Sequence, residues 1–324
     1  MKKELVLYLV VPCYNEEEII AKTADVMGDK LCRLISQGQI SNKSKILFVN
    51  DGSRDATLEI LHSLHEKNPM IGVLSFITNY GHQSAILAGM LHAKKYADVV
   101  ITIDADLQQD IEAIDLFLDA YKKGADIVCG VRNDRNTDTF LKKTTALVYY
   151  KFMQILGCKL LTNHADYRLV SKRVLNVLEE YEETNLFLRG LIMEMGFQYE
   201  VVYFDVSERT VGESKYTFKK MLKLALDGIT SMSVRPLRVV SGIGMITIVV
   251  SVILMISTLV SWIQGKTVQG YTTLLLVVLA IGGVIMLSLG IIGEYIGKIY
   301  METKKRPRYI IDSVELNEEW HWEG

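Results

Sequence analysis

Three short polar clusters carry the residue types with which a protein handles metal ions and phosphates. In Asp104-Ala105-Asp106-Leu107-Gln108, two carboxylates stand one residue apart, directly after the apolar run Val99 to Ile103. Such a pair repels itself unless a cation sits between or beside the two groups. Hard oxygen ligands select Mg2+ or Mn2+, and Mg2+ commonly combines one or two carboxylates with substrate phosphates, so a nucleoside diphosphate is the implied ligand. The other clusters are Pro12-Cys13-Tyr14-Asn15-Glu16 and Asn50-Asp51-Gly52-Ser53-Arg54-Asp55, with a smaller one at Asn79-Tyr80-Gly81. Helix capping accounts for Asp55, which precedes a helical run, but not for Asp104 and Asp106 together. Neither GxGxxG nor GxxxxGK[ST] occurs, so the dinucleotide and P-loop readings lack their signatures.

Each cluster ends a β-rich run. The spacing predicts strands over 5–11, 45–49, 71–77, 99–103 and 127–130, with helices near 16–36, 55–67, 82–96 and 111–123. Alternation of this kind calls for a parallel sheet covered on both faces, a Rossmann-like α/β fold whose ligands collect at the carboxyl ends of the strands.

The chain has 324 residues and a formal net charge of -2. That balance argues against a nucleic-acid partner, which requires a basic face. Cys13, Cys32, Cys129 and Cys158 are scattered without a CxxC, so neither a disulfide framework nor a zinc site is expected, and a reduced compartment fits. The apolar run after Met1 is broken at Pro12, too early for a signal peptide. His82 and His164 are single histidines and read as satisfied polar residues rather than ligands.

Hydrophobicity concentrates near the other end. No charge occurs from Val239 to Ile263, nor from Thr267 to Gly293. About 20 residues of helix cross ~30 Å of hydrocarbon, so two transmembrane helices are predicted, about 239–263 and 271–295. Lys219, Lys220, Lys223, Arg235 and Arg238 precede them, and Lys298, Lys304, Lys305, Arg306 and Arg308 follow, against Lys266 between. The positive-inside bias puts both termini in the cytoplasm. Phe218, Met221, Leu222, Ala225, Leu226, Ile229 and Met232 recur at helical spacing, which predicts an amphipathic helix in the membrane interface. The expected organisation is a cytosolic domain over 1–215, the interfacial helix over 216–236, the spans within 237–298 and a cytosolic tail over 299–324.

Taken in order, the clusters at 11–16, 50–55 and 104–108 resemble the inverting glycosyltransferase family 2. Gly130-Val131-Arg132, Asp166-Tyr167-Arg168-Leu169, Arg209, Gly212-Glu213-Ser214-Lys215-Tyr216 and the two C-terminal spans resemble its polyprenyl-phosphate branch. The resemblance implies a glycosyltransferase A fold. It implies that Pro12, Tyr14, Glu16, Val49 and Asp51 hold base and ribose, and that Asp104, Ala105, Asp106 and Gln108 serve the metal and diphosphate. Arg132, Arg168, Arg209 and Lys215 would lie near phosphates. Asn50 departs from the family's frequent Asp.

The implied reaction moves a sugar from a UDP-sugar to undecaprenyl phosphate with inversion, at the cytoplasmic membrane, in a homo-oligomer such as a tetramer. A separate flippase and an outward-facing transferase would use the product. Asp166 keeps three roles open: orienting a sugar hydroxyl, taking a proton from the acceptor, or pairing with Arg168. A tethered nucleotide-sugar-binding scaffold could dispense with the carboxylates that this chain retains, and a processive polysaccharide synthase should carry a QxxRW motif, which is absent.

Overall fold

The computed structural model describes residues 4–133, 164–183, 187–205, 233–264 and 270–316. The chain forms two compact units, one holding the N-terminal segments together with the residues from Arg306 onward, the other holding mainly 218–305.

The first unit begins β1 (Leu7–Cys13), α1 (Ile20–Ser36), β2 (Lys45–Asn50), α2 (Thr57–Lys67), β3 (Ile71–Phe76), α3 (His82–Ala93), β4 (Val99–Thr102), α4 (Ala113–Lys122) and β5 (Ile127–Arg132). It continues with β6 (His164–Ser171), α5 (Lys172–Glu179), α6 (Leu188–Glu194) and β7 (Tyr199–Phe204), and resumes far along the chain with β8 (Ile311–Glu315). The strands lie in the order β7-β5-β6-β4-β1-β2-β3-β8.

β1 reads as an unbroken apolar run because both of its faces are covered, and all seven of its residues are buried. Leu7, Leu9 and Val11 pack in the layer of Met27, Leu31 and Leu34 from α1 and Phe117 from α4. Tyr8 and Val10 face the opposite layer, with Ile86 and Met90 of α3 and Leu188 and Leu191 of α6. α3 lies directly on the sheet at Gly89, where a Cβ would meet Val10 Cγ1 at 2.4 Å and Val49 Cγ2 at 2.8 Å.

The sheet is mixed rather than wholly parallel. β1, β2, β3 and β4 run parallel, but β6 is antiparallel to both β4 and β5, and β8 is antiparallel to β3. The sequence reading ended its strands at 130 and so lacked the two reversed ones. Reversal of β6 is what matters for chemistry. With Thr102 opposite Arg168, the beginning of β6 lies at the end of β4, which brings Asp166 to the rim that carries Asp104. Thr102 Oγ1 fixes this register by donating to the Asp166 carbonyl at 2.5 Å.

β8 turns the expected tail into an edge strand. Its flanks are fastened: Tyr309 stacks on Phe76 at 5.2 Å, Arg308 donates to the Tyr181 carbonyl, and His62 pairs with Glu315 at 2.9 Å.

The second unit contains α7 (Arg235–Ile263) and α8 (Tyr271–Thr303), of 29 and 33 residues. Tyr295 Oη donates to the Ser233 carbonyl at 2.5 Å. Among the described residues one segment, Ala280–Thr303, is long and apolar enough to cross a membrane. Residues 216–232 of the predicted interfacial helix, and Arg209 and Lys215, lie outside the described residues; its last two residues, Arg235 and Pro236, belong to α7.

Candidate active site

The site is assembled from loops at the carboxyl ends of β1 to β4, as the switch from strand to helix in an open α/β sheet dictates. Asn15 and Leu107 both sit in the left-handed region, at φ 54 and 53. Asn tolerates that conformation and a leucine does not, so the strain at Leu107 is held by its surroundings.

The first three loops are laced by side chains. Asn15 accepts from the Arg54 amide at 2.9 Å and its own amide donates to Ser53 Oγ at 3.0 Å. Asp55, expected as a helix cap, stands one residue before the actual N-cap, Ala56, and accepts from the Thr57 amide at 3.1 Å. Asp51, 3% exposed, accepts from the amides of Tyr80 at 2.6 Å and Gly81 at 2.9 Å. Burial pushes its carboxyl up from the ordinary value, and these two amides draw it back. Asn50, buried beside it, donates to Ser75 Oγ at 3.0 Å and accepts from the Ser53 amide at 3.2 Å. A neutral amide here avoids a second buried charge next to Asp51, which accounts for the departure from aspartate.

Pro12 is buried, while Tyr14 and Glu16 are half-buried at the same rim. The Val49 side chain belongs to the core under α3. Ala105 is buried and its carbonyl accepts from Thr23 Oγ1 at 2.7 Å, tying the acidic loop to α1.

Asp104 is gripped by Gln109, which donates from Nε2 to Oδ2 at 2.6 Å and accepts from the Asp104 amide at 3.1 Å. Asp106 Oδ1 accepts from the Gln108 amide at 3.1 Å. Burial raises the Asp104 carboxyl; His82 and Arg132 oppose the rise, and Asp166 and Asp106 add to it. No cluster of three or more His, Cys, Asp or Glu ligands occurs among the described residues. The donor set is thus two carboxylates with the half-buried Gln108 beside them, the hard, incomplete oxygen set that suits Mg2+ or Mn2+ when substrate phosphates complete it.

Beyond Asp104 lies a second charged group. Asp166 is 5% exposed and takes Arg189 in a two-point contact, Nε to Oδ1 at 3.0 Å and Nη2 to Oδ2 at 2.7 Å. Arg168 also donates to its Oδ1. His82 Nε2 stands 3.5 Å from Asp166 Oδ2 and 3.6 Å from Asp104 Oδ1. Burial alone would raise Asp166, but Arg189, His82 and Arg168 together hold it well below the usual carboxylate range. Arg168 has no exposed surface, and its Nε and Nη1 have no hydrogen-bond partner among the described residues. Its guanidinium is therefore enclosed against Asp166 and has no open surface for the phosphate expected beside it.

His82, Gln109 and Arg189 were not among the sequence-predicted site residues. His82 was set aside as a lone histidine, and Gln109 was overshadowed by its neighbour Gln108. For Arg189 a signal existed: it is a lone cation in the apolar helix Leu188-Arg189-Gly190-Leu191-Ile192. The three cysteines among the described residues, Cys13, Cys32 and Cys129, are free.

Comparison with known proteins agrees with this layout. The model of glycosyl transferase family 2 matches residues 8–178, and the GtrB C-terminal hairpin matches 235–299. An uncharacterized glycosyltransferase of Bacillus subtilis (strain 168), YkoT, is 45% identical over 314 residues, covering 97% of this chain and 93% of its own. A prophage bactoprenol glucosyl transferase homolog of Escherichia coli (strain K12) is 39% identical and covers 95% of this chain and 98% of its own. The bactoprenol glucosyl transferase of Shigella phage SfX is 40% identical, covering 94% and 98%. With the matched domain spanning more than half its length and the carboxylate pair standing at the end of the fourth strand, the chain belongs to glycosyltransferase family 2 and is a transferase enzyme.

Proposed function

We propose that this enzyme transfers a sugar, glucose or N-acetylglucosamine, from a UDP-sugar to undecaprenyl phosphate at the cytoplasmic face of the cell membrane, with inversion. The product would then supply a flippase and an outward-facing transferase of the cell envelope. The observation that carries this reading is the half-buried Asp104–Asp106 pair at the sheet rim, in a chain about 40% identical to a bactoprenol glucosyl transferase over nearly its whole length.

In this reading Pro12, Tyr14, Glu16 and Asp51 seat the nucleoside. Asp104, Asp106 and Gln108 would hold Mg2+ or Mn2+, which when bound neutralises the charge developing on the departing diphosphate. Gln109 keeps Asp104 turned toward the rim. Arg132, at the end of β5 and close enough to Asp104 to act on its charge, faces the diphosphate; Arg209 and Lys215 add cations from their segment.

The acceptor needs little activation. A phosphate monoester with a second pKa of about 6 is already largely dianionic at neutral pH. Asp166, held ionised by two guanidiniums, serves better as a fixed counter-charge than as a proton acceptor.

Chain connectivity supports the membrane arrangement. The polypeptide leaves the sheet after β7 and rejoins it at β8, with α7 and α8 between. An even number of crossings is the simplest way for one sheet to use strands from both sides of a membrane-inserted segment, which supports a reading in which both long helices span, and the flanking Lys and Arg residues support the cytoplasmic side for both termini.

The test is direct. Purified protein given undecaprenyl phosphate and a panel of UDP-sugars should release UDP with one or two of them, and EDTA should stop the release. Metal-dependent binding of UDP-sugar without release would overturn the reading in favour of a tethered scaffold.

A further inference from the structure

The cluster around Asp166 gathers cations on a single carboxylate. Arg168 and Arg189 share it, and His82 stands against it from α3. Two permanent positive charges converge on Asp166, in a place where Asp166 and Arg168 are almost sealed from water. Charge so poorly hydrated favours an anionic ligand wherever the cluster opens to the rim.

The two guanidiniums differ in what they can reach. Arg168 is wholly enclosed, while the Arg189 side chain is 34% exposed. Arg189 is also stiff. Its two-point contact with Asp166 fixes the guanidinium plane, and α6 is pinned to α3 by Gln83 Oε1 accepting from the Leu188 amide at 3.2 Å. Leu188, Leu191 and Ile192 anchor the same helix in the core. A planar cation prepared in this way is suited to a phosphate.

Its position selects which phosphate. The cluster meets the metal-binding rim through His82, whose Nε2 lies 3.6 Å from Asp104 and 3.5 Å from Asp166. The donor diphosphate is served by the metal carboxylates and Arg132. A second anion brought beside it, on the far side of His82, is what a reaction between two anions requires.

We infer that Arg189 binds the phosphate monoester of the lipid acceptor, that Asp166 is its positioning residue, and that His82 separates this subsite from the metal carboxylates. The inference rests on the transferase reading above and deepens it. In the transfer, an acceptor phosphate oxygen forms the bond to the anomeric carbon while the bond from that carbon to the β-phosphate oxygen breaks. The electron pair leaves with UDP. No proton moves, because the acceptor enters as the dianion.

The experiment compares the full-length wild type with Arg189→Ala, Arg189→Gln and Arg189→Lys in detergent. Two quantities are read: KM for undecaprenyl phosphate at saturating UDP-sugar, and calorimetric affinity for UDP with Mn2+ in the absence of lipid. Arg189→Ala should raise the acceptor KM about tenfold or more, the size expected for loss of a charge-assisted contact, and leave UDP affinity within about twofold. Arg189→Lys should recover part of the loss. Arg189→Gln, which keeps much of the side chain's volume, decides by the same readout should the alanine variant not fold. An unchanged acceptor KM in Arg189→Gln, or a loss confined to kcat and thermal stability, overturns the inference and leaves Arg189 a structural ion pair. Failure of the wild type to bind UDP with Mn2+ sinks the transferase reading instead, so the two failures are distinct.

Discussion

At the scale of single residues, the proposed site divides into groups that would touch substrate and groups that would aim them. Asp104 and Asp106 belong to the first kind: Asp106→Asn should abolish Mn2+-dependent UDP binding in calorimetry while circular dichroism stays native. Gln109 belongs to the second. Gln109→Leu removes both of its bonds to Asp104, and kcat should fall about 10- to 100-fold, the range found when the outer partner of a metal ligand is lost, with melting little changed. Asp166 has a stability signature as well. Its folded pKa is depressed, so its contribution is fully present above the ordinary aspartate value and is lost as pH falls through the folded one. Melting temperature should therefore hold from neutral pH down to about pH 4 as far as this group is concerned and decline only in stronger acid. Asp166→Asn should cost about 3–5 kcal/mol at neutral pH, because the wholly buried Arg168 is left with an uncompensated charge. The carboxylate pair was legible in the sequence because two acids one residue apart, at the end of an apolar strand, repel each other until a cation joins them. His82, Gln109 and Arg189 were not, since each gains its meaning from an element distant in the chain, and no local spacing records that convergence.

Among elements, the alternation of strands and helices up to 132 was legible because strands buried on both faces are continuous apolar runs, and the clusters marked their ends. Two features escaped. β6 reverses direction, which apolar patterning cannot signal, and β8 is a short strand, Ile-Asp-Ser-Val-Glu, with no fully buried residue. The loops between elements are as constrained as the elements. Gly52 has φ +62, and a Cβ there would stand 2.4 Å from the Thr78 carbonyl carbon. Gly52→Ala should destabilise by at least about 1–3 kcal/mol in denaturant titration and weaken nucleotide binding with it, since the loop carrying Asp51 must move. Gly89→Val should lift α3 from Val10 and Val49; because His82 opens that helix, the expected outcome is lost turnover together with lost stability.

For the whole molecule, composition argued against a nucleic-acid partner and located the hydrophobic segments, but it could not reveal that the chain comes back to its first domain. A cysteine introduced as Gln269→Cys, between α7 and α8 in the chain, should react with a membrane-impermeant maleimide on intact cells if the helices form a spanning hairpin. Protection there, with labelling only after lysis, would place the loop inside. The return of the chain at β8 has a further consequence for biosynthesis. β3 exposes an unpaired edge until the ribosome has made α7, α8 and the residues beyond them, so the sheet stays unfinished until almost the whole chain has been synthesised. Nascent chains that stall within α8 would carry every carboxylate of the site yet offer a sticky strand to their neighbours, and quality control could recognise them by that edge.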